Sequence, residues 1–245
     1  MDVRPIDGPG NGAGESDLRA VIRADGSADP DLDPKLPGER LAALVSAMLR
    51  TRRVDDRLAA MGADGRIGFL PRSVGREAAV IGTAAALDDG DWVFPTAHDW
   101  GLALHRGLSA EDFAHRVFGS ARDALKGHDM PGGLSARRLR IASVSAPAGT
   151  HLPHAVGVAW AARQKGEPLV TSALFDAPEI DAADFHTGLN FAGVMKAPTV
   201  FVCRVRRGEP SAAEHAVAYG LEAARCDGSD LLAVIATVRE AVERA

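Results

Sequence analysis

The sequence predicts an α/β fold in which a central parallel sheet is flanked by helices, and two apolar segments carry this prediction. Residues 168–175 (PLVTSALF) predict a buried strand, and residues 199–203 (TVFVC), apolar and β-branched, predict a second one. Residues 182–195 between them have a helical pattern. A strand, a helix and a strand in this order favour two parallel strands joined by a right-handed crossover.

The N-terminal half is predicted to be helical after a flexible tail. Residues 1–36 are rich in Gly, Pro, Asp and Ser, so they cannot bury enough apolar surface to offset their ordering entropy. The folded domain is therefore expected over residues 37–245. Apolar side chains recur every three or four positions over residues 39–61, which predicts a long amphipathic helix. A second helix is predicted over residues 74–87, before the turn sequence Asp-Asp-Gly.

The remaining elements follow from local signals. Residues 92–96 are extended, and Pro95 confines them to a sheet edge or a loop. Ser109 is a candidate N-cap for a helix over residues 110–117. Three further helices are predicted over residues 147–163, 212–224 and 231–244.

Composition excludes several classes of protein. The 245 residues are 46% hydrophobic and 25% charged, which is typical of a globular chain. The net charge of −5 argues against a nucleic-acid-binding protein with a broad basic surface. No apolar run approaches the ~18 residues of a membrane span, and the polar N-terminus lacks a secretory signal, so we expect a cytoplasmic protein without membrane association. The two cysteines are expected to be free thiols.

Candidate binding residues follow the two predicted strands, because ligands of parallel sheets bind at the carboxyl ends of the strands. Asp176, Ala177 and Pro178 follow the first strand. Arg204, Arg206 and Arg207 follow the second, and they form either an anion site or a solvated basic turn. A transition-metal site is a further alternative, since imidazole and carboxylate groups bind such ions. Its candidate ligands are His151, His154, Asp184 and His186, which are otherwise unrelated surface or core residues.

Several segments, taken in order, resemble the α subunit of the E1 component of 2-oxo acid dehydrogenase complexes of the branched-chain and pyruvate type. The resemblance runs from Glu39 to Arg244. It implies a thiamine diphosphate-binding-type fold and an α₂β₂ assembly with a β-type subunit. It also implies decarboxylation of a 2-oxo acid, with magnesium holding the diphosphate of the cofactor. The segments are MLRTRRVDDRL, GRIGF, GREAAVIGTAAAL, DWVFP, APAGTHLPHAVGVAWAA, DFHTGLNFAGVMKAPTVFVC, AYG and DGSDLLAV.

The positions that hold magnesium in this family are changed. Its GDG motif, whose aspartate binds the ion, falls on Asp176, Ala177 and Pro178, and its asparagine pair falls on Val205 and Arg206. Alanine offers no oxygen ligand, and arginine is a permanent cation that repels the ion. A register shift of one residue would make Asp176 the ligand, but no comparable shift replaces Arg206.

Other family positions have changed as well. The Tyr-Arg pair that contacts the diphosphate falls on Ala97 and His98, and a pocket histidine falls on Gly133. Ser145 and Thr150 match positions that bind a structural potassium ion in some relatives. The sequence also stops before the strand and the loop that follow in similar subunits, so we expect the C-terminal part of the family domain to be missing.

These losses predict a pseudoenzyme that keeps the scaffold. Its expected role is structural or regulatory, as a homo-oligomer or with an E1 β-type subunit, and no bound cofactor is expected. One alternative is an active E1 α subunit in which arginines replace the metal, because arginine binds phosphate in a bidentate fashion. The other is a module that binds a different anionic ligand.

Overall fold

The computed structural model describes residues 18–68, 70–129, 133–206 and 209–245. Its sheet has three parallel strands in the order β1 (Trp92–Phe94), β2 (Thr171–Asp176) and β3 (Thr199–Arg204). The predicted parallel strand–helix–strand unit is therefore confirmed, with β2 at the centre. The segment containing Pro95 forms an edge strand that ends before the proline, as expected.

Helices surround this sheet. Those over residues 39–61, 110–117, 182–195 and 231–244 are confirmed to within two residues at each end. Ser109 caps its helix through a hydrogen bond of 2.9 Å from the Asp112 backbone N–H. The helices are α1 (Gly38–Ala63), α2 (Glu77–Ala86), α3 (Trp100–His105), α4 (Ala110–Val117), α5 (His151–Lys165), α6 (Ala183–Met195), α7 (Ala212–Ala218) and α8 (Leu231–Arg244).

Four helices differ from the prediction. The start of α2 is at Glu77 rather than at residue 74. The start of α5 is at His151 rather than at residue 147, because Gly149 adopts a left-handed φ of +74°. The end of α7 comes six residues early, where the carbonyl of Tyr219 packs against Gly193 of α6. The short helix α3 was not predicted. It has no amphipathic pattern, since residues 100–104 are all buried.

The two faces of β2 belong to different parts of the core. Ala173 and Phe175 pack in one cluster with residues of α5 and α6, including Phe185. Leu174 packs on the opposite face with a cluster that includes Trp100, which stacks on Phe113 at 4.8 Å between ring centroids. Helices therefore cover both faces of the sheet, as a parallel sheet requires. Among the described helices, none is long and apolar enough to cross a membrane.

The predicted flexible tail is wrong for part of residues 18–36, because Val21 and Leu36 pack on the start of α8, while most of residues 22–35 are exposed. Val21 is 1% exposed and lies in a cluster with Leu232 and Ala233. The backbone N–H groups of Val21 and Ile22 each donate to Asp230 Oδ2 at 2.7 Å. Composition predicts that this segment buries little surface against its own neighbours. Its burial comes instead from contacts with residues about two hundred positions away. Residues 1–17 of the predicted tail lie outside the described residues.

We predict that Asp230→Ala releases this segment. Asp230 Oδ1 also accepts from the backbone N–H groups of Leu232 and Ala233, so the substitution removes the N-cap of α8 and both contacts to residues 21 and 22. Loss of a cap and of two buried hydrogen bonds is expected to lower the free energy of unfolding by about 2–3 kcal/mol. Urea denaturation measures this loss, and hydrogen exchange should show faster exchange of the amides of residues 21 and 22.

Asp25→Ala is the control for this prediction, because Asp25 accepts only from Ser27 in an exposed turn. It should leave the exchange of residues 21 and 22 unchanged. Unchanged protection of these amides in Asp230→Ala would contradict the proposed role of Asp230.

Candidate active site

The carboxyl ends of β2 and β3 carry two opposite charges that face each other. Asp176 and Arg204 are the last residues of these strands and are paired in the sheet register. Arg204 Nε donates to Asp176 Oδ1 at 2.9 Å. Arg76, at the N-terminus of α2, donates through Nη1 to both carboxylate oxygens of Asp176, at 2.6 and 2.8 Å. Two guanidinium groups therefore hold one carboxylate at the strand ends.

The other two nitrogens of Arg204 also contact protein groups. Its Nη1 forms an ion pair with Asp99, and its Nη2 donates to Thr96 Oγ1 at 3.1 Å. The second oxygen of Asp99 accepts from the backbone N–H and the hydroxyl of Thr96, at 2.8 and 2.9 Å. We call Arg76, Asp176, Arg204 and Asp99 the ion-pair network. It contains two positive and two negative charges.

The charged groups of the network are largely buried, so each one needs its partner to remain charged. The side chain of Asp99 is 0% exposed and that of Arg204 is 11% exposed. Burial by itself would raise the pKa of Asp176, but Arg204 and Arg76 outweigh it and hold this pKa below its usual value of 3.8. Burial opposes the charge of Arg204 as well, but Asp99 and Asp176 raise its pKa. Both partners therefore remain charged at neutral pH.

A second pair of charges fixes the loop that presents Arg76. Glu77 of α2 forms an ion pair with Arg52 of α1 and accepts from the backbone N–H of Gly75 at 2.9 Å. Burial would raise the pKa of Glu77, but the hydrogen bond from Arg52 lowers it. This contact ties α1 to the residue before Arg76, so the position of the guanidinium is set by two helices.

The structure places the residues of the GDG-like segment as follows. Ala177 is buried and begins a short 3-10 helix (Ala177–Asp181) together with Pro178. Glu179 is used by the backbone, since its two oxygens accept from the N–H groups of Asp176 and Gly149 at 3.0 and 2.7 Å. Of these residues, Asp176 is the one whose carboxylate faces the strand ends, and its oxygens are held by arginine.

Some of the other predicted site residues line one cleft, and some do not. A cleft of about 1720 Å³ is lined by His98, Asp176, Pro178, Arg204 and Arg206, among others. His98 Nδ1 lies 2.8 Å from the carbonyl oxygen of Arg72, and Arg206 is exposed. Ala97 and Ala177 do not line this cleft. Arg207 lies outside the described residues.

The structure does not bring the predicted histidine and aspartate ligands together in a metal site. His151 is buried and bonds the carbonyl oxygen of Leu174 at 2.8 Å, while His154 is exposed. His186 contacts the hydroxyl of Tyr219 at 2.8 Å, and Asp184 accepts from Thr150. Over the described ranges, no group of three or more His, Cys, Asp or Glu residues could hold a metal ion.

The predicted potassium positions have separate surroundings. Thr150 donates its hydroxyl to Asp184 Oδ2 at 2.9 Å, and Ser145 is half-buried in the segment before α5. A potassium site at Ser145 and Thr150 remains a prediction. Cys203 behaves as a core thiol, because burial raises its pKa to about 12.

Arg76 and Asp99 were not among the predicted site residues. Both belong to the ion-pair network, although they are 23 residues apart in sequence and far from Asp176. The available signal was weak. Arg76 immediately precedes a helix of small, buried apolar residues, and this position is the one local feature that sets it apart.

The described residues do not fit a magnesium-bound diphosphate. Magnesium needs several oxygen ligands in near-octahedral geometry. The carboxylate that ends β2, Asp176, is already bound by two guanidinium groups, and Ala177, Val205 and Arg206 supply no carboxylate or amide side chain. Each of the three nitrogens of Arg204 already donates a hydrogen bond to Asp176, Asp99 or Thr96, so its guanidinium is held within the protein.

Comparison with known proteins defines the family. The chain matches the family described as the dehydrogenase E1 component over residues 45–245. It belongs to this family. The E1 relatives that it resembles are α subunits of 2-oxoisovalerate dehydrogenase. The α subunit 1 of *Arabidopsis thaliana*, named as mitochondrial, is 35% identical over 100% of this chain and 57% of its own length.

Two further relatives have similar values. The α subunit of *Bacillus subtilis* is 33% identical over 86% of this chain and 68% of its own length. The mitochondrial α subunit of *Bos taurus* is 32% identical over 93% of this chain and 52% of its own length. This E1-family chain thus spans about half to two thirds of the length of these relatives, and it is related to the branched-chain α subunits.

Proposed function

We propose that this chain is a non-catalytic E1 α-type subunit with a thiamine diphosphate-type fold, which acts as a structural or regulatory partner of a β-type subunit or of another copy of itself. The observation that carries the proposal is the ion-pair network at the carboxyl ends of β2 and β3. It lies next to the positions where the resemblance expects magnesium ligands, which are Ala177 and the pair Val205 and Arg206, and it satisfies its own charges.

Binding a metal-bound diphosphate here would require the network to open. Asp176 would have to leave Arg76 and Arg204 before it could bind an ion. Breaking a buried ion pair leaves an uncompensated charge and costs about 3–5 kcal/mol. Arg206, two residues beyond the end of β3, would then place a permanent positive charge where the family has an amide ligand. Magnesium binding is therefore opposed by both the energy of the network and the positive charge of Arg206.

Three measurements on the protein purified with its native partners test this proposal. Native mass spectrometry is expected to show a homo-oligomer or a complex with a β-type subunit, without the mass of thiamine diphosphate. Calorimetric titration with thiamine diphosphate and Mg²⁺ is expected to show no saturable binding. An assay of 2-oxoisovalerate and pyruvate decarboxylation is expected to show no turnover, with the 2-oxoisovalerate dehydrogenase of *Bacillus subtilis* as the positive control.

The contradicting results separate the alternatives. Stoichiometric thiamine diphosphate and turnover of either 2-oxo acid would establish an active E1 subunit. Loss of that binding in Arg206→Ala would then identify arginine as the replacement for the metal. Saturable binding of a different phosphate or carboxylate, unaffected by Mg²⁺, would instead support a module for another anionic ligand.

A further inference from the structure

A groove on the surface of the molecule, away from the ion-pair network, has both apolar and cationic walls. It lies between α1 and α4 and encloses about 610 Å³. We define this α1–α4 groove by six of the side chains that line it, which are Leu49, Val54, Phe118, Arg50, Arg53 and Arg57.

The apolar side chains of the groove are unusually accessible. Leu49 is 58% exposed and Phe118 is 41% exposed. Val54 also lines the groove, is half-buried and packs against the core. Each square ångström of apolar surface removed from water contributes about 25 cal/mol, so covering these side chains would be favourable. A groove between two helix surfaces has the shape that accepts one face of a third helix.

The charge of the groove is of one sign. Arg50, Arg53 and Arg57 are spaced i, i+3 and i+7, so they lie on one face of α1, and all three are exposed. Across the part of the chain that the structure describes, no ion pair involves any of them. The contrast is with Arg52 on the same helix, which pairs with Glu77. No acidic side chain lines the groove.

We propose that the α1–α4 groove binds an acidic amphipathic helix from a partner polypeptide. Its apolar residues, spaced i, i+3 or i+4 and i+7, would cover Leu49, Val54 and Phe118. Glutamate or aspartate residues on the flanks of this stripe would pair with Arg50, Arg53 and Arg57. Groove-lining positions of α1 run from residue 46 to residue 61, which corresponds to about four helical turns of the partner.

The concave shape favours this partner over an anionic membrane. A membrane surface would meet the exposed arginines but would not place side chains between the two helices. The helix satisfies both features, because it places side chains into the groove and charges along its rim.

A fluorescent synthetic peptide tests the proposal with the full chain. The probe is a helical peptide of about 20 residues with leucines on one face and glutamates on both flanks. A second peptide carries lysines in place of the glutamates. Fluorescence anisotropy is expected to show saturable binding of the acidic peptide, weaker binding at high salt and no binding of the basic one.

Three variants assign the binding to the groove. Arg53→Glu and Leu49→Glu are each expected to weaken binding of the acidic peptide at least about tenfold. Arg225→Glu makes the same charge change at an exposed arginine outside the groove and should bind like the parent chain. Since all three positions are exposed, circular dichroism should show that the variants keep the fold. If Leu49→Glu does not keep it, Leu49→Gln takes its place.

Several results would overturn the proposal. They are absence of saturable peptide binding, equal binding by Arg53→Glu, Leu49→Glu and the parent chain, and binding to phosphatidylserine vesicles without peptide binding. Light scattering could give a further contradicting result. Self-association that depends on protein concentration and disappears in Leu49→Glu would assign the groove to a second copy of this chain instead.

Discussion

Asp176→Ala is expected to lower the free energy of unfolding by about 3 kcal/mol or more. The carboxylate is the shared partner of Arg76 and Arg204, and both of these side chains are largely buried. Removing it leaves two guanidinium groups at the strand ends, with only Asp99 as a counter-charge. The arginines would repel each other and lose their hydrogen bonds, so the loss exceeds that of an exposed ion pair.

Chemical denaturation measures this effect, with Asp31→Ala as the control because Asp31 is exposed. A double-mutant cycle with Arg76→Ala makes the test specific to the network. The double variant should be less destabilised than the sum of the two single variants, since the second substitution removes a charge that the first left unpaired. Additive losses would contradict the coupling of Arg76 and Asp176.

The same network should make the fold sensitive to acid. The pKa of Asp176 is lower in the folded protein than its usual value of 3.8, so its contribution to stability is present above that value. It is lost as the pH falls below 3.8 and through the lower pKa of the folded state. The stability of Asp176→Asn should therefore fall less steeply than that of the parent chain in this acidic range. Parallel curves would contradict this prediction.

Gly193→Ala is expected to lower the free energy of unfolding by about 3 kcal/mol. In an exposed helix this substitution would stabilise by about 1 kcal/mol, because alanine is the better helix former. At Gly193 of α6, a Cβ atom would lie 2.1 Å from the carbonyl oxygen of Tyr219. The obstacle is backbone rather than a flexible side chain, so either α6 or the end of α7 must move.

Gly157→Ala on α5 is the matched control. A Cβ atom at Gly157 would meet no atom within 4 Å, and the residue is exposed. The free energy of unfolding of this variant should rise by about 1 kcal/mol. The two glycine substitutions are therefore expected to change the stability in opposite directions in thermal or urea denaturation. A stabilised Gly193→Ala would show that α6 and the turn after α7 separate easily. It would contradict the close packing described for them.

The elements that could be predicted are those specified by neighbouring residues. The apolar stripe of α1, the Ser109 cap of α4 and the bounds of α8 each depend on residues within one or two helical turns. The parallel pair β2–β3 also follows from local order, because the intervening helix allows one hand of crossover. The short helix α3 and the packing of Val21 and Leu36 on α8 could not be predicted in this way. Their stability comes from contacts with distant parts of the chain.

The sequence by itself determined the α/β class, the relation to E1 α subunits and the absence of magnesium-binding side chains at Ala177 and Arg206. These depend on residue identity at aligned positions. The tertiary structure alone decided what stands at the strand ends, because Arg76 and Asp99 come from separate segments and meet Asp176 and Arg204 only when the sheet forms. Charges in a buried site interact through space, and their partners are therefore set by the fold rather than by their order along the chain.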